Sequence, residues 1–302
     1  MTDRQAIPDD ETGFDRVLAF TIPDRHARGR AVRLGPVLDT VLSAHNYPTA
    51  IRHLLAEALV VAALIGSLLK DSDGQLTMQA QSDGGIVELL VCDYRQGELR
   101  GYVRHDAERL SALETFPSLQ ALFGGGYLAI TFDLASTGQR YQGIVPLEGA
   151  SLAEACQAYF AQSEQVPTLI RAGVRWDGQH AVAAGLLMQH LADGEEGRER
   201  LHVRMDHPEW EHVAAMAGSI RQDELVDPSL SMEALVWRLF HEEREVRVEP
   251  LARLSRGCRC SEAHYSSVLS QFPEGERSEM RGDDGFIAVD CAFCSKIFKI
   301  AV

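Results

Sequence analysis

Four cysteines near the C-terminus have the spacing of a metal site. They stand as Cys258-Arg259-Cys260 and Cys291-Ala292-Phe293-Cys294, with 30 residues between the two pairs. Two close pairs of thiols supply the ligands that a tetrahedral zinc site needs. The second pair has ordinary knuckle spacing, in which one turn directs both sulfurs to a common point, and we expect the flanking strands at residues 287–289 and 297–298.

The first pair is less usual, because only Arg259 separates its two thiols. Cys258 and Cys260 can share a metal, but they are also near enough to form a small, strained disulfide ring. The residues therefore leave two interpretations open: a structural zinc site, or a thiol switch that bound zinc keeps reduced.

The other candidate ligands and nucleophiles predict no catalytic site. His264 follows Cys260 by four residues, and we expect it beside the site or at the surface, because four thiolates already complete a tetrahedron. Cys92 and Cys156 lie singly in apolar runs, which is typical of inert core thiols. The histidines are scattered, and no Gly-x-Ser-x-Gly motif occurs. We therefore predict that the protein is not an enzyme.

The charge balance and the apolar runs exclude several kinds of partner. The 44 acidic residues outnumber the 29 Lys and Arg residues, and a net charge of −15 repels nucleic acid. Residues 1–11 are polar and acidic, unlike a signal peptide, so we expect a reducing, cytoplasmic location. The longest apolar run, residues 58–69, is too short to span a bilayer and predicts a core helix rather than a membrane anchor.

The sequence patterns of the helices and strands that must position the thiols predict an α+β fold. Residues 14–22 are predicted to form a strand, and residues 25–33 an arginine-rich loop, either solvated or holding an anion. Helices follow at residues 37–45 and 49–70, and the second is apolar on nearly all sides, so it should be buried against a sheet. The next segments indicate antiparallel strands joined by glycine-containing turns, with a helix at 151–163 between the fifth and sixth of them. These strands are predicted at residues 76–81, 86–94, 99–105, 127–133, 140–147, 169–176 and 180–190.

The character of the chain changes after residue 190. Residues 193–256 are rich in Glu, Asp and Arg, and helices are predicted at 209–217 and 232–240. Trp210, Trp237 and Phe240 belong to apolar positions that are too few for an independent core. We therefore expect these helices to dock on another part of the protein and to open without unfolding it, although a plain helical linker fits the sequence equally well.

Five sequence features together resemble the thirty-three-kilodalton heat shock protein family, which comprises redox-regulated bacterial holdase chaperones. They are the four-cysteine pattern and the strings HNYPTAIRHLLAEAL (45–59), LRGYVR (99–104), RYQGIVPLEG (140–149) and YFAQSEQVPT (159–168). The resemblance covers nearly the whole chain. It implies an N-terminal antiparallel sheet domain with packed helices (residues 1–190), a metastable helical linker (191–250) and a small zinc domain (251–302).

The resemblance also implies an activity and a switch. The activity is ATP-independent binding of unfolded or aggregation-prone clients, absent in the reduced form that holds one zinc per chain and present after oxidation. The family thiols correspond to Cys258, Cys260, Cys291 and Cys294, with disulfides Cys258–Cys260 and Cys291–Cys294 in the oxidised form. We further expect a homodimer after oxidation. We also expect the apolar residues Trp210, Trp237 and Phe240 to restrain activity by packing the linker onto the sheet domain.

Two other functions compete with this interpretation. A structural zinc module for protein interactions would use the same four thiols without a switch. A thiol-disulfide oxidoreductase would use Cys291 and Cys294 as a redox pair, but such a pair usually opens a helix, whereas residues 295–300 alternate like a strand.

Overall fold

The computed structural model describes residues 13–71, 73–178, 180–191 and 206–301. The expectations for residues 1–11 and for most of the start of the linker, residues 192–205, lie outside these ranges. In chain order the strands are β1 (Arg16–Ile22), β2 (Ala27–Leu34), β3 (Gln75–Ser82), β4 (Val87–Arg95), β5 (Glu98–His105), β6 (Gly126–Leu134), β7 (Gln139–Pro146), β8 (Thr168–Asp177), β9 (His180–His190), β10 (Arg247–Arg253), β11 (Ser255–Arg256), β12 (Ile287–Asp290) and β13 (Ile297–Ile300).

The helices lie between and after these strands. They are α1 (Pro36–Leu42), α2 (Thr49–Gly66), α3 (Ala107–Leu110), α4 (Leu119–Phe123), α5 (Leu152–Tyr159), α6 (Pro208–Gly218), α7 (Gln222–Leu225), α8 (Met232–Phe240), α9 (Glu262–Leu269) and α10 (Glu274–Met280). The Ser151 hydroxyl caps α5 by accepting from the Glu154 N–H, as its sequence predicts, and a π-helical turn at Phe160–Glu164 extends this helix.

The strands form two large sheets and a small ribbon. The first sheet has the order β10-β1-β2-β9-β8 with antiparallel neighbours throughout. The second sheet has the order β11-β5-β4-β3-β6-β7 and is antiparallel except for the short β11–β5 pair. Strands β12 and β13 pair antiparallel in the ribbon. The predicted α+β fold with antiparallel sheets is confirmed.

Helix α2 lies between the two large sheets. It contacts β2, β8 and β9 of the first sheet and β3, β4 and β5 of the second. Close packing on β9 requires Gly185, since a Cβ there would lie 2.5 Å from a Val60 methyl carbon. By length and composition alone α2 would suit a membrane span, but it is mostly buried inside the protein. The prediction of a core helix is confirmed.

The predicted arginine-rich loop at residues 25–33 is wrong, because β2 occupies Ala27–Leu34 in the middle of the first sheet. Its arginines alternate with small or apolar residues, and each has a protein partner instead of an exposed anion site. The Arg28 guanidinium donates to the Gln189 side chain, for example. Gly29 leaves room for the Phe20 ring to pack on the sheet, since a Cβ at this position would lie 2.1 Å from that ring.

The linker helices, α6 to α8, cover the outer face of the first sheet. Their apolar side chains form one buried cluster with residues of β1, β2 and β9. Ser231 caps α8 by accepting from the Ala234 N–H, so this helix has the bounds that the sequence predicts. The expectation that these helices dock on another part of the protein is confirmed.

The C-terminal module, residues 258–301, has only a small core. Its buried residues come from the end of α9, from the ribbon and from Cys291 in the turn after β12, and α10 buries none of its residues. The segment before this module joins both large sheets, because β10 pairs with β1 and β11 pairs with β5. Strand β10 spans the predicted boundary at 250/251, and the division into 1–190, 191–250 and 251–302 stays a prediction.

Candidate metal centre and the linker contact

The turn after β12 presents the second pair of thiols. The Cys294 and Ser295 N–H groups donate to the Cys291 carbonyl at 3.2 and 2.8 Å, and the Cys291 N–H donates to the Lys296 carbonyl at 3.0 Å. Ser295 adopts a left-handed conformation with φ 56°, which turns the chain back into β13. The strands predicted on both sides of this pair are confirmed.

The first pair follows an edge strand of the second sheet. The Gly257 N–H donates to the Leu99 carbonyl at 2.9 Å, so the backbone is fixed to β5 immediately before Cys258. After Cys260, the Ser261 hydroxyl caps α9. The Cys-x-Cys pair is therefore held between a strand and a helix start.

The structure brings together the four cysteines that the sequence singled out. Their Sγ atoms all lie within 4.8 Å of one another. The shortest separations are 3.2 Å for Cys258–Cys260, 3.5 Å for Cys260–Cys294 and 3.6 Å for Cys258–Cys291. A tetrahedral site with Zn–S bonds of about 2.3 Å has sulfur–sulfur edges of about 3.8 Å, so this donor set fits one zinc ion.

One thiol of the cluster is stabilised as a thiolate by its neighbours. Burial pushes the pKa of Cys291 up, but hydrogen bonds from the Phe293 N–H and the Tyr265 hydroxyl outweigh it and lower the pKa to about 7. The pKa of Cys260 is raised, by burial and then by the neighbouring thiols. Tyr265 also packs against Phe298 of β13, with ring centroids 5.2 Å apart. This tyrosine is a contact of the site that the sequence analysis missed.

The other thiols and His264 lie where the sequence places them. Cys92 and Cys156 are fully buried, and burial raises the pKa of both. Both are therefore poor nucleophiles. His264 is exposed on α9, with its ring 5.5 Å from that of Tyr265, and it is not among the clustered ligand atoms.

The aromatic residues of the linker have different environments. Trp210 is buried against the sheet, and Phe240 is fully buried with its ring 5.8 Å from that of Phe20 in β1. Trp237 is 66% exposed and stacks on His241 instead, so its expected packing onto the sheet domain is wrong. The buried positions of α8 are 232, 235, 236 and 240, and on a helix with 3.6 residues per turn position 237 falls outside the face that they share.

Arginines of the sheet domain also hold the linker helices, a feature that the sequence analysis missed. Arg33, which is buried, donates to the carbonyls of Leu225 and Leu230 at 3.1 and 2.7 Å. The Leu225 carbonyl is at the C-terminal end of α7 and lacks an intrahelical donor, so the buried arginine satisfies it.

Arg25 joins two parts of the linker segment at a second point. It donates to Glu209 of α6 at 2.5 Å and to Glu243, which follows α8, at 2.9 Å. His212 lies 2.7 Å from the other Glu243 oxygen. The arginines assigned to a loop therefore form part of the linker contact.

Comparison with known proteins assigns nearly the whole chain to one protein family. The family model described as Hsp33 protein matches residues 15–301. The 33 kDa chaperonin of Caulobacter vibrioides is 42% identical over 301 residues, covering 97% of each chain. The proteins of the same name from Azotobacter vinelandii and Pasteurella multocida are 37% and 34% identical, covering 95% and 94% of this chain and 91% and 93% of theirs.

A solved structure supports the fold. The crystal structure of the 33 kDa chaperonin from Thermotoga maritima, a heat shock protein 33 homolog, superposes with a TM-score of 0.77. It covers 95% of both chains at 22% sequence identity.

Proposed function

Because this chain belongs to the Hsp33 protein family, we propose that it is a redox-regulated, ATP-independent holdase chaperone. The observation that carries the proposal is the connection between the thiol cluster and the linker helices. Strands β10 and β11 lead from the end of the linker segment directly into Cys258. A change at the thiols can therefore reach the helices that cover an apolar sheet face.

In the reduced state the four thiolates hold one zinc ion, which would cross-link the two thiol pairs and stabilise the C-terminal module. Cys258 and Cys260 come from one end of the module and Cys291 and Cys294 from the other, so shared ligation closes the 30-residue segment between them. The module needs this cross-link because its buried core is small. Metal ligation supplies about 10 kcal/mol of folding free energy in comparable zinc domains.

Oxidation removes the cross-link. The two thiolates of a pair give two electrons to one peroxide molecule, which takes up two protons from solvent and becomes two waters, and one disulfide forms. Cys258 pairs with Cys260 and Cys291 with Cys294, so all four ligand atoms are used and neither bond spans the segment between the pairs. The C-terminal module then unfolds, and β11 and β10 lose the anchor at their C-terminal end.

Release of the linker uncovers the client-binding surface. The outer face of the first sheet carries buried apolar residues that the linker helices cover, and a large exposed apolar patch is what unfolding proteins bind. These residues on the sheet side are Leu18, Phe20, Ile22, Ala27, Ala31, Ala184, Leu186 and Met188. The net charge of −15 keeps such an open form in solution and disfavours nucleic acid as a partner.

Several further expectations belong to the same proposal. The partners are unfolded or aggregation-prone proteins, and a second copy of the chain after oxidation, with no membrane involved. The protein works in the cytoplasm under oxidative stress, and it holds clients without catalysing a reaction.

The test follows zinc release and client aggregation in the same sample. Reduced, zinc-loaded protein should leave a chemically denatured client to aggregate, as measured by light scattering. After peroxide is added, the protein should release about one zinc ion per chain, which a chromogenic chelator detects, and the oxidised protein should suppress the light scattering of the client. The matched control replaces the buried thiols (Cys92→Ala/Cys156→Ala) and should switch normally. Zinc release without suppression of aggregation would contradict the chaperone assignment, and suppression that is equal before and after peroxide would contradict the switch.

A further inference from the structure

The residue between the first two thiols reaches the outer face of the second sheet. Arg259 Nη1 donates to the Gln75 side-chain oxygen on β3 at 2.5 Å, and its Nη2 lies 3.5 Å from the Asp93 carboxylate on β4. Asp93 is almost fully buried and also pairs with Arg100 of β5 at 2.6 Å. Arg259 therefore docks on a polar group that is already fixed within the sheet.

The residues of the second thiol pair reach the same face. The Arg100 guanidinium lies over the Phe293 ring, 4.0 Å from its centroid, and the Tyr102 ring meets it edge-on at 4.9 Å. Cation–π contact and edge-to-face packing each favour this position of the ring. One residue beyond Cys294, the Ser295 hydroxyl lies 3.0 Å from His45 Nδ1.

We propose that this part of the second sheet is a docking surface for the thiol cluster itself, and that Arg259 and Phe293 transmit the state of the thiols to the sheet domain. The docking surface consists of Gln75, Asp93, Arg100 and Tyr102. Its occupant is the pair of turns that carry the four cysteines of the same chain. The regulatory meaning of this docking rests on the proposed function, but the contact itself does not.

The position of Arg259 makes it sensitive to the thiols. The Sγ atoms of Cys258 and Cys260 are 3.2 Å apart, and a disulfide needs about 2.05 Å together with a fixed dihedral angle. Closing a ring that contains the Arg259 backbone changes the direction of its side chain. The contact with Gln75 and Asp93 is then lost at the step that removes two ligand atoms.

The docking also holds the edge strand that leads into the cluster. The Ser255 and Gly257 N–H groups donate to the carbonyls of Gly97 and Leu99, each at 2.9 Å. A two-residue strand has little stability of its own, so it depends on contacts at both ends. Loss of the Arg259 and Phe293 contacts should therefore free β11 before the linker opens.

A double-mutant cycle across the contact tests the proposal on the reduced, zinc-loaded full chain. The singles are Arg259→Ala and Gln75→Ala, and the readout is the rate of zinc transfer to a chelator. Each single should speed transfer about 2- to 10-fold, and the double should be no faster than the faster single, because one shared contact is removed. The matched control is Lys299→Ala, which removes a cation that pairs with Asp284 inside the module. This substitution should leave the rate of zinc transfer unchanged, and Gln75→Ala should speed zinc transfer by the same factor with or without it.

Hydrogen exchange supplies a second readout. The Ser255 and Gly257 amides should exchange faster in Arg259→Ala while zinc content stays at one per chain. The proposal would be overturned if the effects of the two single substitutions on zinc transfer multiplied in the double variant. It would also be overturned if the Ser255 and Gly257 amides of Arg259→Ala exchanged at the wild-type rate. If Arg259→Ala does not retain zinc, the cycle between Phe293→Ala and Tyr102→Ala decides by the same criterion. Both readouts use the reduced protein, so their results do not depend on whether the chaperone assignment is correct. Conversely, a protein that switches normally as a chaperone can still show no coupling between Arg259 and Gln75.

Discussion

Truncation of Phe240 should open the linker without any oxidant. The side chain is fully buried between α8 and the first sheet and packs on Phe20. Replacing a buried Phe by Ala costs about 3–5 kcal/mol, and each 1.4 kcal/mol is a tenfold change in an equilibrium. The ratio of docked to open linker should fall by about two to almost four orders of magnitude in Phe240→Ala. A segment of low local stability cannot absorb that loss.

Trp237 supplies a matched control on the same helix. It is a large aromatic side chain but 66% exposed, so Trp237→Ala should change the docking free energy by about 0.5 kcal/mol or less. The two variants thus separate loss of an aromatic residue from loss of packing on the sheet.

The assay compares reduced, zinc-loaded Phe240→Ala and Trp237→Ala with the wild type. We expect Phe240→Ala alone to suppress aggregation of a denatured client before peroxide is added, with faster amide exchange in α6 to α8 and unchanged exchange in α2. Zinc analysis must show one ion per chain in all three proteins. If Phe240→Ala shows faster exchange in the linker helices and still requires peroxide, the linker face does not restrain activity, and the reasoning is refuted.

Three more predictions concern the thiols and the contact of Arg25 with Glu209 and Glu243. Cys258→Ser and Cys294→Ser should each weaken zinc binding, and full retention of zinc in both, by metal analysis, would exclude a four-thiolate site. Peptide mapping after peroxide should find disulfides within each thiol pair, whereas a main product that joins the two pairs would clamp the module shut and contradict the switch. Acid should loosen the linker. A hydrogen bond from Arg25 lowers the pKa of Glu209, and although burial raises the pKa of Glu243, hydrogen bonds from Arg25 and His212 leave it below the ordinary value of 4.5. Because these folded-state values are lowered, the stabilisation is complete above about pH 4.5 and is lost as the pH falls through them. Amide exchange of α6 across this range should show the loss in the wild type and a weaker pH dependence in Arg25→Gln.

The sequence predicts elements well where one physical signal dominates. Helix α8 has the predicted bounds because Ser231 caps it and apolar residues recur at helical spacing. The thiol cluster forms as expected because two short turns bring each pair together, and the ribbon strands β12 and β13 flank the second turn. Cys92 and Cys156 lie in the core because apolar neighbours surround them in the sequence.

The missed features depend on contacts between distant residues. Strand β10 contains Pro250 and several charged residues, a composition that only an edge strand tolerates, and only its pairing with β1 identifies it. Strand β2 resembles a polar loop because its arginines find partners up to about 200 residues away, such as the Leu225 and Leu230 carbonyls for Arg33. The exposure of Trp237 follows from which face of α8 meets the sheet, and hydrophobicity alone does not specify that face.

The order of opening follows from how these elements are connected. The thiol turns contact the second sheet, β11 pairs with its edge, β10 pairs with the edge of the first sheet, and the linker helices precede β10. Each step along this path has its own contacts, and the shortest strand, β11, lies next to the thiols. A two-residue strand should separate before the seven-residue β10, because it has fewer backbone hydrogen bonds to lose. Loss of the zinc cross-link should therefore free β11 first and the linker helices last. After a fixed dose of peroxide, amide exchange at Ser255 should accelerate at earlier times than amide exchange in α8.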